Sequence, residues 1–291
     1  MRIGICMPYG FSQQGRREGQ QDCMYPETLS ETTPFFVVCD GVGGRRNGEI
    51  ASGLVCEAFS RVLNGQFCQG DEMTKSLFEN TLQYAYNMLY DNRSAGLDMA
   101  TTLAFLAISS EGIFIAHLGD TRVYQFRRGE GIVFMTEDHS LVRSMVNEKK
   151  ITEEEALTHH KRNMITRCMR VVTHDEEYDQ ATIDIIRNVR EGDVFLVCTD
   201  GVYGEIKETE LVKLLLENEC LEAKANRLAN ITRYGNDNNT AFLIEVKRVE
   251  NDGGCDGRNV SYETGLRQER LRSGSYDVIS NIGNFLRRIF S

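Results

Sequence analysis

The sequence predicts an α+β fold, with antiparallel β-sheets and amphipathic helices packed outside them. Three observations carry this. Apolar runs of strand length recur along the chain. Two long stretches between them hold apolar residues at helical spacing. The strand-like runs come in groups rather than alternating one for one with helices, which favours antiparallel sheets over a βαβ array.

The strand-like runs fall at 35–39, 103–108, 113–118, 123–126, 132–135, 194–198 and 241–246. The four from 103 to 135 read as one meander, with SSEG and RRGEG as turn signals. Ile50, Leu54, Val55, Ala58, Phe59 and Val62 share one helical face, and Leu77, Phe78, Leu82, Ala85 and Leu89 share another. Thr152 with Glu155 three residues on is a capping-box start for a short helix. Two further helices are expected over 211–216 and 221–231, the second stopped by Gly235.

Past Val246 the composition changes. NDGGCDGRN has the Gly, Asn and Asp content of a linker. Val278, Ile279, Ile282, Phe285, Leu286, Ile289 and Phe290 then share one helical face beside Arg287 and Arg288. We expect a main domain over 1–247 and a linker with an amphipathic helical tail over 248–291. The tail reads first as a helix folded back on the core, and second as a docking or membrane-surface helix.

Bulk composition narrows the function. The chain has 291 residues, 41% hydrophobic and 26% charged, which is ordinary globular content. A formal net charge of −10 argues against a nucleic-acid partner, since phosphate-backbone binding needs an excess of Lys and Arg. Nine cysteines, an odd count with no CxxC spacing, and the lack of a secretory signal or of any apolar run near the ~18 residues of a membrane span point to a reduced, soluble, cytoplasmic protein.

The acids are the chemical signal. FFVVCDGVGG and VFLVCTDGVYG each run a buried strand into an Asp and a Gly. Asp40 and Asp200 thus end core strands, Asp237 opens a third in DNNTAFLIEV, and Asp120 lies between two strands in HLGDTRVY. Asp22 follows a Gln-rich segment. One such Asp is most simply a turn. Several brought together would repel one another unless cations neutralised them. All-oxygen donors without zinc-type His/Cys spacing select a hard divalent cation, Mg²⁺ or Mn²⁺. Arg17, five residues before Asp22, offers a fork for phosphate oxygens.

The motifs become specific when taken in order. GRREGQQD, VVCDGVGG with GEIAS, MATTLAFLAI, HLGDTRVY, TEDHSLV, RNMITRC, CTDGV and DNNT follow one another through most of the chain. In that order they resemble the metal-dependent protein phosphatase (type 2C) family in its bacterial form. The resemblance implies two antiparallel sheets in a central sandwich, helices on both outer faces, and a metal cleft at one end. It implies a serine/threonine phosphatase in which metal-bound hydroxide attacks phosphomonoesters directly. Asp40 would bridge two ions, the Gly41 carbonyl would complete the second site, and Asp200 and Asp237 would hold the first. Asp120, with Asp200, would form a third-metal site. Arg17 would bind the substrate phosphate, and Gln21 and Asp22 would hold metal-bound water. Phosphoserine and phosphothreonine proteins would be the substrates, set against a serine/threonine kinase.

Two departures bear on mechanism. Gln20-Gln21-Asp22 replaces the family's usual Asn-Glu-Asp or Asn-Gln-Asp. Val42 stands where animal members carry a His credited as general acid, and valine donates no proton. A nucleotide-binding loop is excluded by spacing, because Arg46 stands where GxGxxG needs its last Gly. A catalytically inactive scaffold module is the remaining alternative, and the intact acids and Arg17 speak against it.

Overall fold

The computed structural model describes residues 1–42, 47–173 and 176–250. In chain order the first elements are β1 (Arg2–Ile5), β2 (Tyr9–Gln13), β3 (Asp22–Tyr25), β4 (Phe35–Asp40), α1 (Gly48–Leu63) and α2 (Lys75–Asp91). They are followed by β5 (Ala100–Thr101), β6 (Leu103–Ser109), β7 (Gly112–Leu118), β8 (Arg122–Arg127), β9 (Gly131–Met135), α3 (Leu141–Asn147) and α4 (Glu153–Thr158). The last are β10 (Met169–Arg170), β11 (Thr182–Ile186), β12 (Val194–Cys198), α5 (Asp200–Tyr203), α6 (Glu208–Leu216), α7 (Leu221–Thr232) and β13 (Asn239–Glu250).

Two antiparallel sheets form the centre. One runs β1-β13-β12-β8-β9, with β2 also paired to β13; the other runs β11-β7-β6-β4-β3. Strand alternation sorts their side chains into layers. Phe36, Val38, Leu106, Ile115, Phe195, Val197, Phe242 and Ile244 fill the space between the sheets. From the same strands, Val37, Cys39, Phe105 and Phe114 face outward and pack on Val55, Phe59, Phe78 and Leu82 of α1 and α2. On the opposite outer face, Leu196, Cys198 and Leu243 meet Leu211, Leu215 and Leu228 of α6 and α7. The result is the expected αββα sandwich. It also explains why Phe35–Cys39 of β4, Leu103–Ile108 of β6 and all of β12 are apolar: both of their faces are buried.

The expected strand and helix positions are occupied, with one correction. The run from 103 to 135 is not one meander. β6–β7 is a hairpin in one sheet and β8–β9 a hairpin in the other. The chain changes sheets across Gly119, Asp120 and Thr121, so a carboxylate sits on the crossing. The capping box at Thr152 and Glu155 is formed in full. Strands β1, β2, β3 and β11 and helix α3 carried no signal strong enough to be expected. β13 continues to Glu250, past the expected end of the main domain. The linker and the helix expected over 278–290 lie outside the described residues. No helix among the described residues is long and apolar enough to cross a membrane.

Candidate active site

The strand ends dictate the site. β4 delivers Asp40 as its last residue and Gly41 next, with the Gly41 N–H donating to the Gln21 carbonyl at 3.0 Å. β12 ends at Cys198, and Asp200 opens α5 two residues later. Asp237 lies just before β13, and Asp120 lies on the crossing between β7 and β8. All four acids line one cavity of about 310 Å³, together with Arg17, Gln21, Gly41, Val42, Thr102, Asn163, Ile165 and Asn238. Asp22 stands directly opposite Asp40 in the β3–β4 register and is itself buried.

Threonines and one asparagine fix the backbone around the acids. The Thr101 hydroxyl and the Thr102 N–H both donate to the Asp40 carbonyl at 2.8 Å, and the Asp40 N–H donates to Thr102 Oγ1 at 3.0 Å. Thr102 and Thr121 share a 2.5 Å hydroxyl bond, tying β4 to the crossing that bears Asp120. Asn238 clamps the segment before β3. Its Nδ2 donates to the Gln14 and Gly19 carbonyls, and its Oδ1 accepts from the Gln21 N–H. The Gln21 side chain reaches Glu49 on α1 at 3.3 Å.

Arg122 organises the support behind Asp120. It holds Asp138 bidentately at 2.6 Å, and its guanidinium stacks on the Tyr203 ring. The Tyr203 hydroxyl in turn donates to the Asp120 carbonyl at 2.9 Å. His139 contributes from the loop after β9. Its N–H donates to the Gly119 carbonyl, and its Nδ1 accepts from the Gly119 N–H.

The electrostatics are those of crowded carboxylates. Burial, then the charges of Asp22, Asp200, Asp120 and Asp237, push Asp40 well above the usual range. Burial and then Asp200 push Asp120 up to about 7. Asp200 is raised by burial and by Asp237, while a hydrogen bond with Asp40 lowers it. Asp22 is pushed up to about 7, chiefly by burial. Oδ1 of Asp200 and Oδ1 of Asp22 are buried and have no hydrogen-bond partner.

Asp237 differs, because Arg17 Nη2 lies 2.5 Å from its Oδ2. One acid therefore already has a cation. No group of three His, Cys, Asp or Glu side chains is gathered into a finished ion cage among the described residues. The donor set nevertheless fits hard divalent cations. It is all oxygen, it leaves a buried carboxylate oxygen unsatisfied, and apart from Asp237 its charges oppose one another. Gly41 adds a backbone that no other residue could supply, since a Cβ there would fall 2.5 Å from the Gly48 carbonyl carbon.

Sequence reasoning named Arg17, Gln21, Asp22, Asp40, Gly41, Asp120, Asp200 and Asp237. The structure brings all but Asp22 to the cavity wall and places Asp22 next to Asp40. Thr101, Thr102 and Asn238 were not expected as organising residues, although all three stand inside the motifs MATTL and DNNT.

Comparison with known proteins identifies the family and the fold. The protein phosphatase 2C family model matches residues 10–232. The serine/threonine phosphatase stp of Listeria monocytogenes serotype 4b is 28% identical over 240 residues, covering 79% of this chain and 90% of that protein. The crystal structure of the serine/threonine phosphatase Stp1 from Staphylococcus aureus superposes with a TM-score of 0.69 at 26% identity, over 85% of this chain and 98% of that one. The catalytic domain of the phosphatase PstP, solved in complex with 2 manganese ions, gives a TM-score of 0.67 at 25% identity, over 84% of this chain and 100% of that one. The chain belongs to the protein phosphatase 2C family.

Proposed function

We propose that this protein hydrolyses phosphoserine and phosphothreonine monoesters on protein substrates, using Mg²⁺ or Mn²⁺ held in the cavity at the strand ends. The observation that carries the reading is the convergence of Asp40, Asp120, Asp200 and Asp237, from four separate parts of the chain, on one cavity that also holds an arginine. Asp40 would serve both ions, with the Gly41 carbonyl on one side and Asp200 and Asp237 on the other. Asp120 with Asp200 would hold a third ion. Two such cations supply Lewis-acid stabilisation of the phosphoryl oxygens and a water acidic enough to be deprotonated near neutral pH.

The remaining work falls to the chain. Arg17 is about half exposed and paired to Asp237. Its guanidinium can exchange that carboxylate for the substrate phosphate, with the same fork geometry. Gln21 on the cavity wall and Asp22 beside Asp40 would hold metal-bound water. Val42 on the wall offers no proton, so none is assigned from that position. Asn163 and Ile165 form the part of the wall that a phosphopeptide would meet beyond its phosphate. A serine/threonine kinase of the same compartment would supply the substrates. We place the protein in the cytoplasm, where a chain of nine cysteines without CxxC spacing keeps its thiols reduced.

The test is hydrolysis of p-nitrophenyl phosphate and of a phosphoserine peptide with Mn²⁺ added, abolished by EDTA. Asp40→Asn should lower kcat by about a hundredfold or more, because it removes charge worth several kcal/mol of transition-state stabilisation. Full turnover in that variant refutes the assignment. The Arg17–Asp237 pair favours one other reading, a scaffold module that neutralises its acids without metal. Metal binding with no turnover on either substrate would establish that reading instead.

A further inference from the structure

We propose that a second cavity, at the opposite end of β8, β12 and β13, binds a small phosphate-bearing anion. Arg122, Cys198 and Asn239 stand at the catalytic ends of these three paired strands, while Arg127, Val194 and Glu245 stand at their other ends. Five or six residues of strand separate the two ends, about 17–20 Å. The cavity there has a volume of about 280 Å³ and is lined by Arg127, Arg128, Arg190 and Lys224 among others. Four basic side chains thus meet on a protein of net charge −10.

The decisive residue is Lys224 on α7. It is only 4% exposed, and it lines the cavity. Its ammonium makes no hydrogen bond or ion pair among the described residues. Its stem is buried, and its ammonium, in the field of Glu217, carries a charge at the cavity wall that an anion would meet. Arg128, exposed at the cavity mouth, is likewise without an ion pair among the described residues. Arg190 holds Glu130 at 2.8 Å, both of them exposed, a pair weak enough to exchange for a better anion.

The carboxylates on the wall define the ligand further. Asp193 is fully occupied. It takes Arg127 through both oxygens at 2.8 Å, Gln125 at 2.7 Å and the Arg190 N–H at 2.8 Å. That network makes the basic wall rigid. Glu191 and Glu245 also line the cavity, and neither is in ion-pair contact with a described base. A ligand here must therefore accept from cations and donate to carboxylates. Hydrogen phosphate and hydroxyl-rich phosphomonoesters do both; sulfate only accepts. Leu215 and Leu216 close one side and leave room for a small carbon skeleton.

The experiment is calorimetric titration of the full-length, Mn²⁺-loaded protein with inorganic phosphate, a hexose phosphate and sulfate. Two saturable phosphate events are expected in the wild type. Lys224→Gln and Arg128→Ser should each weaken one of them by about tenfold, the loss of one charge-assisted bond, and leave p-nitrophenyl phosphate turnover unchanged. Arg128 is exposed, so its variant folds even if Lys224→Gln does not. Tighter binding of the hexose phosphate assigns the site to a sugar phosphate, and tighter inorganic phosphate assigns it to the free ion. A single event in the wild type, two undisturbed events in both variants, or sulfate binding as tight as phosphate would overturn the proposal.

Discussion

Asp22 and Asp40 face each other directly across the β3–β4 ladder. Like charges at paired positions of an antiparallel sheet repel, and burial strengthens that repulsion. The Thr199 hydroxyl donates to one Asp22 oxygen at 3.0 Å and leaves the other without a partner. A fold that sought only stability would place a hydrophobic pair there, as it does with Met24 and Val38 two positions along. The site holds unfavourable charge ready for a cation.

That charge makes the metal-free protein sensitive to pH. Asp22 and Asp120 are raised to about 7, and Asp40 and Asp200 are raised as well. An unfolded carboxyl loses its proton near 3.8, so between there and about 7 the native state binds more protons than the unfolded one. Stability of the EDTA-treated protein should therefore fall as pH rises through this window. Thermal melts from pH 5 to pH 7.5 should show a declining Tm without metal. Added Mn²⁺ should raise Tm most at the alkaline end. A metal-free Tm that climbs with pH would contradict the description of these acids as uncompensated.

Gly201 follows Asp200 at the turn into α5. A Cβ there would fall 1.9 Å from the Asn238 carbonyl oxygen, which is backbone and cannot swing away. Asn238 also carries the clamp on the segment before β3, so its displacement would reach Gln21. Gly201→Ala should cost about 2 kcal/mol or more, by overpacking in a site that cannot relax. It should also weaken Mn²⁺ activation, read as a higher metal concentration for half-maximal turnover. Wild-type values for both urea midpoint and metal activation would show that the turn has room.

The long helices and the doubly buried strands were legible because their burial repeats along the sequence. β12 is apolar at every position and β6 at every position but its last, and α1 repeats apolar residues on a helical face. The division of the 103–135 run between two sheets was not legible. Gly119 and its neighbours look like an ordinary hairpin turn, and only the partners of β7 and β8 reveal the crossing. The short β1, β2 and β3 gain their order from long-range pairing, in which Arg2 meets Glu250 and Gln13 meets Asn239. The acids were visible as repeated Asp-Gly ends of apolar runs. Asn238 and Thr102 were not, because what they do is bind backbone from remote segments, and such work leaves no periodic trace.

Arg17 competes with any cation for Asp237. The 2.5 Å pair is exposed on both sides, so its strength is modest. Arg17→Ala should free the carboxylate and tighten Mn²⁺ activation by a small factor, about two- to fivefold. The same variant should raise KM for a phosphopeptide, since a fork for the phosphate is gone. These two changes run in opposite directions and separate the roles. Weaker metal activation together with unchanged KM would contradict both.

Asp193 offers a test of stability apart from chemistry. It is 1% exposed, and its carboxylate accepts from Arg127, Gln125 and the Arg190 backbone. Arg127 is also buried, and its Nη2 donates to the Asn188 carbonyl at 2.8 Å. Asp193→Ala would leave that guanidinium with only the exposed Glu130, 3.7 Å away, as counter-charge, and it should cost about 3–5 kcal/mol in urea unfolding. Asp193→Asn keeps acceptors for part of the network and should cost less. The catalytic cavity lies at the other end of the same strands, so kcat of the folded fraction should hold in both variants. A loss below about 1 kcal/mol in Asp193→Ala would mean that water reaches Arg127 and screens it, whereas a collapse of kcat at full folding would mean that the strands carry strain from this end to the acids.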